Sequence, residues 1–168
     1  WEGGHRVPFI ARWPGHTPAG RTCDQLVGLG DLIATCAHLL EVDLPPGEGQ
    51  DSVSILPLLS GQTETPVHES LVYHSCSGKF AIRKDGWVFI DAPSGDDNHE
   101  PDWFKVERGY TTHDFPGELF CLTEDISEKT NLYGERPQTV RELVHLLDTI
   151  RPTGEADGDS SESGSLSE

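Results

Sequence analysis

Apolar positions change character part-way along the chain. Before about residue 62 they form one compact run and one helical stripe, and after it they alternate. Residues 7–13, VPFIARW, are rich in β-formers and end at Pro14-Gly15, which predicts a buried strand following a Gly3-Gly4 turn. Pro8 suits the first residues of a strand or a sheet edge. Residues 32–42 predict a helix, with Leu32, Cys36, Leu39 and Leu40 on one stripe and Ile33 and Ala37 beside it. Asp31 is its expected N-cap, and Asp43-Leu44-Pro45-Pro46 ends it. Residues 55–59 add a short apolar turn or helix, stopped by Gly61.

The second half reads as strands. These are residues 70–76 (SLVYHSC), 79–84 (KFAIRK), 87–91 (WVFID) and 118–122 (ELFCL). Asp85-Gly86 marks a hairpin between the second and third. Pairing across it puts Phe80, Ile82, Trp87 and Phe89 on one face, and Ala81, Arg83, Val88 and Ile90 on the other. Residues 92–117 carry no such pattern and read as a long, polar, acidic loop, a kind that is usually functional or mobile. Pro137 opens a last helix, whose stripe is Val140, Leu143, Val144, Leu147 and Ile150. The final stretch, TGEADGDSSESGSLSE, has almost no apolar residue and is expected to be disordered.

The pattern divides the chain into residues 1–62, the end of an α/β layer; 63–152, an α+β unit with an antiparallel sheet closed by one helix; and a tail, 153–168. One strand and one helix cannot cover both faces of a sheet. The first part is therefore expected to be the back end of a larger protein, an expectation that suits a chain opening on WEGG with no Met. Standing alone, residues 7–13 and the 32–42 helix would expose apolar faces and leave the chain poorly stable.

Charge narrows the function. The formal net charge is -17, and setting aside the five acids of the tail still leaves twice as many acids as bases. Phosphate backbones and anionic membranes are both held by Lys and Arg, so neither nucleic acid nor a polybasic membrane contact is expected. No apolar run reaches the ~18 residues of a membrane span. The four cysteines, Cys23, Cys36, Cys76 and Cys121, form no C-x-x-C, and three pairings are open to them. They are expected to be free, because a chain this long and this poor in Cys needs no staples.

The segments match a family in order. WEGGHRVPFIARWPG resembles the E-G-G-x-R-x-P-x-I-x-x-W-P-G segment of formylglycine-dependent sulfatases. LVGLGDLIATCAHLLEVDLP, GQDSVSILPLLSG, FAIRKDGWVFI and ELFCLTEDISEKTNL are similar to the segments that follow it in that family. The resemblance covers about residues 1–150. It implies an alkaline-phosphatase-like α/β/α sandwich, of which this chain would hold the C-terminal part, followed by the small α+β subdomain. It also implies a parent enzyme that hydrolyses sulfate esters of carbohydrates, aryl or alkyl groups. In that enzyme a formylglycine hydrate attacks sulfur while Ca2+ held by carboxylates and an amide stabilises the charge.

The formylglycine motif, C/S-x-P-S-R, is absent. Cys23 is followed by Asp-Gln, Cys36 by Ala-His, Cys76 by Ser-Gly and Cys121 by Leu-Thr, and no Ser fits. The resemblance places the nucleophile, the Ca2+ ligands and the catalytic Lys upstream of Trp1. No catalytic or metal residue is therefore expected here, and the chain alone is expected to be inactive, with its missing N-terminal portion as its main partner. By family habit the parent is periplasmic or secreted.

Two residues are the candidates for substrate contact. His5 follows the E-G-G loop that leaves the active site in the family, and His74 lies near the junction of the two parts, where specificity contacts often sit. Gly3 and Gly4 are expected to serve backbone geometry. Arg6 is expected to pair with a nearby carboxylate. His74 and Cys76 share a strand face, but zinc sites use four ligands at wider spacing, so no metal is assigned to them. In the long loop, Trp103 with His99, Lys105, Arg108 and His113 reads either as a sugar contact or, the preferred reading, as a surface loop anchored by Trp103. Two alternatives stay open: a non-catalytic binding module, and a phosphatase or phosphonate hydrolase of the same superfold.

Overall fold

The computed structural model describes residues 1–62, 64–93 and 99–151. A four-stranded antiparallel sheet forms its centre, in the order β1 (Ser70–His74), β2 (Phe80–Lys84), β3 (Trp87–Ile90) and β4 (Glu118–Cys121). The Asp85-Gly86 hairpin forms as its sequence predicts. Both residues have positive φ, 50° and 80°, the requirement of a tight two-residue turn that matches strand twist. Gly86 is also needed for space, because a Cβ there would meet Thr123 Cγ2 at 2.9 Å.

Register fixes the two faces. Ile82 opposes Phe89, and Phe89 opposes Leu119. Against this face lies α5 (Pro137–Ile150), with Pro at its first turn, inserting Val140, Leu143 and Leu147. Ile82, Phe89, Leu119 and these three side chains are all nearly sealed from solvent and form the core. The expected face and the expected helical stripe thus meet each other.

The first part departs from expectation. Residues 7–13 are not a strand: they carry no regular structure, and all but the half-buried Trp13 lie exposed, Ile10 at 91%. A strand needs a neighbour's N–H and C=O groups, and no described strand pairs with this run. The predicted helix is present as α2 (Asp31–Leu40), but its buried residues are Asp31, Thr35 and Ala37. Its apolar stripe faces out, with Leu32, Ile33, Leu39 and Leu40 all exposed. The expectation that both elements expose apolar faces is met. A short helix, α3 (Leu56–Leu59), follows as predicted.

Asp31 is the first helical residue rather than the N-cap, which is Gly30. Its carboxylate accepts from Gly28 N at 2.7 Å and Val53 N at 3.0 Å, and contacts His68 Nε2 at 2.9 Å. Thr35 continues the polar seam, its hydroxyl accepting from Ile55 N at 2.9 Å. This seam, not the apolar stripe, ties α2 to the segment after it.

Residues 92–117 are not simply a loop. They contain α4 (Asp102–Arg108), ended by Gly109 in the left-handed conformation. Trp103 is 68% exposed, so it is not the anchor of this region. Pro152, expected to end the last helix, and the tail 153–168 lie outside the described residues. All four cysteines are free, and Cys121 is buried.

Candidate functional site

The face of the sheet turned away from α5 carries Tyr73, Ala81, Arg83, Val88, Ile90, Glu118 and Phe120, as alternation requires. Three of these are polar. Over this face sits α1 (Glu2–His5), a single helical turn in place of the expected glycine turn. Gly3 and Gly4 have neither positive φ nor a close neighbour where a Cβ would sit, so the predicted backbone role does not hold. Between α1, the edge of the sheet and α4 opens a cleft of about 1060 Å³.

Four interactions pin α1 and the preceding Trp1 to their surroundings. Glu2, 5% exposed, pairs with Arg83 Nη1 at 3.4 Å. Glu2 N donates to Glu128 Oε2 at 2.6 Å. Trp1 Nε1 donates to Glu118 Oε2 at 2.9 Å, while His113 Nε2 lies 3.4 Å from Glu118 Oε1. Arg108 of α4 lies over the Trp1 ring, 5.5 Å from its centroid. The signal for this arrangement was present in the sequence. Arg83 and Glu118 stand at inward positions among apolar neighbours, and a charge buried there demands a partner. Arg6 is exposed; the ion pair of this segment belongs to Glu2 and Arg83.

Both candidate histidines line the cleft. The His5 ring packs on Tyr73, 4.1 Å between centroids. Its pKa is lowered, chiefly by partial burial. His74, at the end of β1, is exposed and meets Phe80 edge-on at 5.9 Å. Cys76 also lines the cleft. Among the described residues no three His, Cys, Asp or Glu side chains are arranged to hold a metal ion, and no step through calcium is assigned to them.

Burial pushes the Glu118 carboxyl above its ordinary range, and burial together with the charges of Glu2 and Glu118 does the same to Glu128. A raised carboxyl binds its proton more tightly folded than unfolded. Its stabilising contribution is full below the unfolded value of 4.5 and is lost as pH rises through the folded value. His5 acts with the opposite sign nearer 6.5, because its folded pKa is lowered. In thermal melts, Glu128→Gln is expected to flatten the decline in stability that begins above pH 4.5. An unchanged slope would remove Glu128 from this account.

Comparison with known proteins gives the setting. No family model matches the chain. It is 34% identical to an N-acetylgalactosamine-6-O-sulfatase of Bacteroides thetaiotaomicron over 90% of its own length. It is 39% identical to human steryl-sulfatase over 88%. The chain is homologous to the sulfatases. This sulfatase homologue spans only 28% and 27% of those two relatives. A solved structure from Bacteroides thetaiotaomicron, described within the metabolism of multiple glycosaminoglycans, matches it with a TM-score of 0.71 at 34% identity. That match covers 89% of this chain and 30% of the other. A complex with D-glucosamine-2-N,6-O-disulfate shares the fold, with TM-score 0.59 at 21% identity over 82% of this chain and 26% of the other. The sheet and closing helix of the homologue thus belong to the alkaline-phosphatase-like architecture of the sulfatases.

Proposed function

We propose that this chain serves as the C-terminal part of a sulfatase that hydrolyses sulfate esters, with a sulfated carbohydrate as substrate. The observation that carries the reading is its 34% identity, over 90% of its length, to a protein named for removing a 6-O-sulfate from N-acetylgalactosamine. In this reading residues 1–62 end the catalytic sandwich, residues 63–152 form the subdomain, and 153–168 are a tail. The exposed apolar faces of residues 7–13 and α2 pack against the rest of the sandwich. Formylglycine and Ca2+ act in that remainder. His5 and His74 touch substrate from the cleft wall, and the parent works in the periplasm or outside the cell.

The test is sulfate release from N-acetylgalactosamine 6-sulfate and from a steryl sulfate by the product of the complete reading frame containing this chain. Release from the sugar sulfate is expected, with His5→Ala and His74→Ala raising KM. No release from either ester would reject the hydrolase reading and leave a binding module.

A further inference from the structure

We propose that α4 and Glu100, two residues ahead of it, form a sugar-selecting wall of the cleft, in which Glu100, Phe104 and Arg108 receive the hydroxyl-bearing ring of a monosaccharide and disfavour a sterol. This deepens the sulfated-carbohydrate reading and rests on it for the identity of the sugar. All three residues line the cleft, and Phe104 and Arg108 stand four apart on one side of α4. Arg108 Nη1 holds Glu100 Oε1 at 2.6 Å. The guanidinium is fixed over two rings, Trp1 at 5.5 Å and Phe104 at 5.9 Å.

The pair is reachable, with side chains 36% and 31% exposed. Arg108 offers a fixed donor fork, held by a carboxylate whose Oε2 is sealed from solvent and whose Oε1 faces the fork. Adjacent sugar hydroxyls match that fork as acceptors, and each can also donate to Oε1. Phe104 supplies apolar surface for the ring's C–H face. A sterol skeleton in the same place would strip water from the charged pair and return no hydrogen bonds, which is costly. The cleft chemistry therefore separates two substrate types that the relatives of this chain span, a sugar sulfate and a steryl sulfate.

The experiment is ligand-observed saturation-transfer NMR on the 168-residue chain with unsulfated N-acetylgalactosamine. Saturable binding is expected. Arg108→Lys and Phe104→Ala are expected to weaken it about tenfold, the scale of losing one charged hydrogen-bonding group or one apolar contact face. Val106→Ala, 78% exposed on α4 and outside the cleft lining, is expected to leave it unchanged. Melting curves of each variant, matched to the parent, separate lost contacts from lost folding, and Arg108→Lys keeps the charge if a larger truncation unfolds the helix. No saturable sugar signal, or a signal equal in all variants, overturns the proposal. So does estradiol outcompeting the sugar in an Arg108-dependent manner. The neutral sugar has no sulfate ester, so the result is independent of whether the parent hydrolyses one.

Discussion

Leu119→Ala is expected to destabilise the sheet by about 3 kcal/mol, enough to unfold a marginal domain in mild denaturant. Leu119 is fully buried within β4 and shares one core cluster with Leu143 and Leu147 of α5. The truncation removes apolar contacts from both layers at once and leaves a cavity that a backbone so held cannot close. The backbone there is doubly committed: Leu119 N donates to Asn131 Oδ1 at 2.9 Å, and its carbonyl accepts from Leu132 N at 2.8 Å. Urea titration followed by near-ultraviolet circular dichroism measures the effect. Ile10→Ala, at a position 91% exposed, is the matched comparison and should shift the midpoint little. Equal shifts for the two variants would mean that the sheet and α5 do not form the stability-determining core.

Asp31→Ala has the second largest expected effect, roughly 3 kcal/mol or more, and it acts on the other part of the chain. Asp31 is 2% exposed, and its two oxygens satisfy the Gly28 and Val53 amides and His68. Removing the carboxylate strands two amides in a place where water does not replace it readily, and a buried donor without an acceptor is costly. Asp31→Asn keeps one oxygen and is expected to fall between the two. Amide hydrogen exchange is the measurement. Residues 28 and 53 should lose protection while Ile82 and Phe89 in the sheet retain theirs. Loss of protection throughout would show instead that the α2 region and the sheet unfold as one unit.

These two residues differ in how legible they were. Leu119 sits in an alternating run whose partners announced themselves. Asp85-Gly86 fixed the hairpin, the hairpin fixed the register, and register decided that Ile82 and Phe89 face the same side. The α5 stripe then had one surface to cover. Asp31 was read as a helix cap, the ordinary use of Asp before an apolar stripe. Besides Gly28, its partners are 22 and 37 residues away, and no local pattern encodes a bond of that range.

The apolar run at residues 7–13 and the α2 stripe show the same limit from the other side. Their composition declares a buried surface, while burial itself needs a second layer to supply the contact. By itself the sequence determined the kind of protein, through the order of its E-G-G, D-L-I-A-T and E-L-F-C-L segments, and it determined the local elements whose signals are local: hairpin, strands and closing helix. Only the tertiary structure decided the cleft. Trp1, Tyr73, Arg108, Glu118 and Glu128 converge on it from five separate stretches of chain. α4, a seven-residue helix too short for its periodicity to register, provides the wall. Hydrophobic periodicity is a property of neighbours along the chain, whereas charge pairing across a folded surface is a property of neighbours in space.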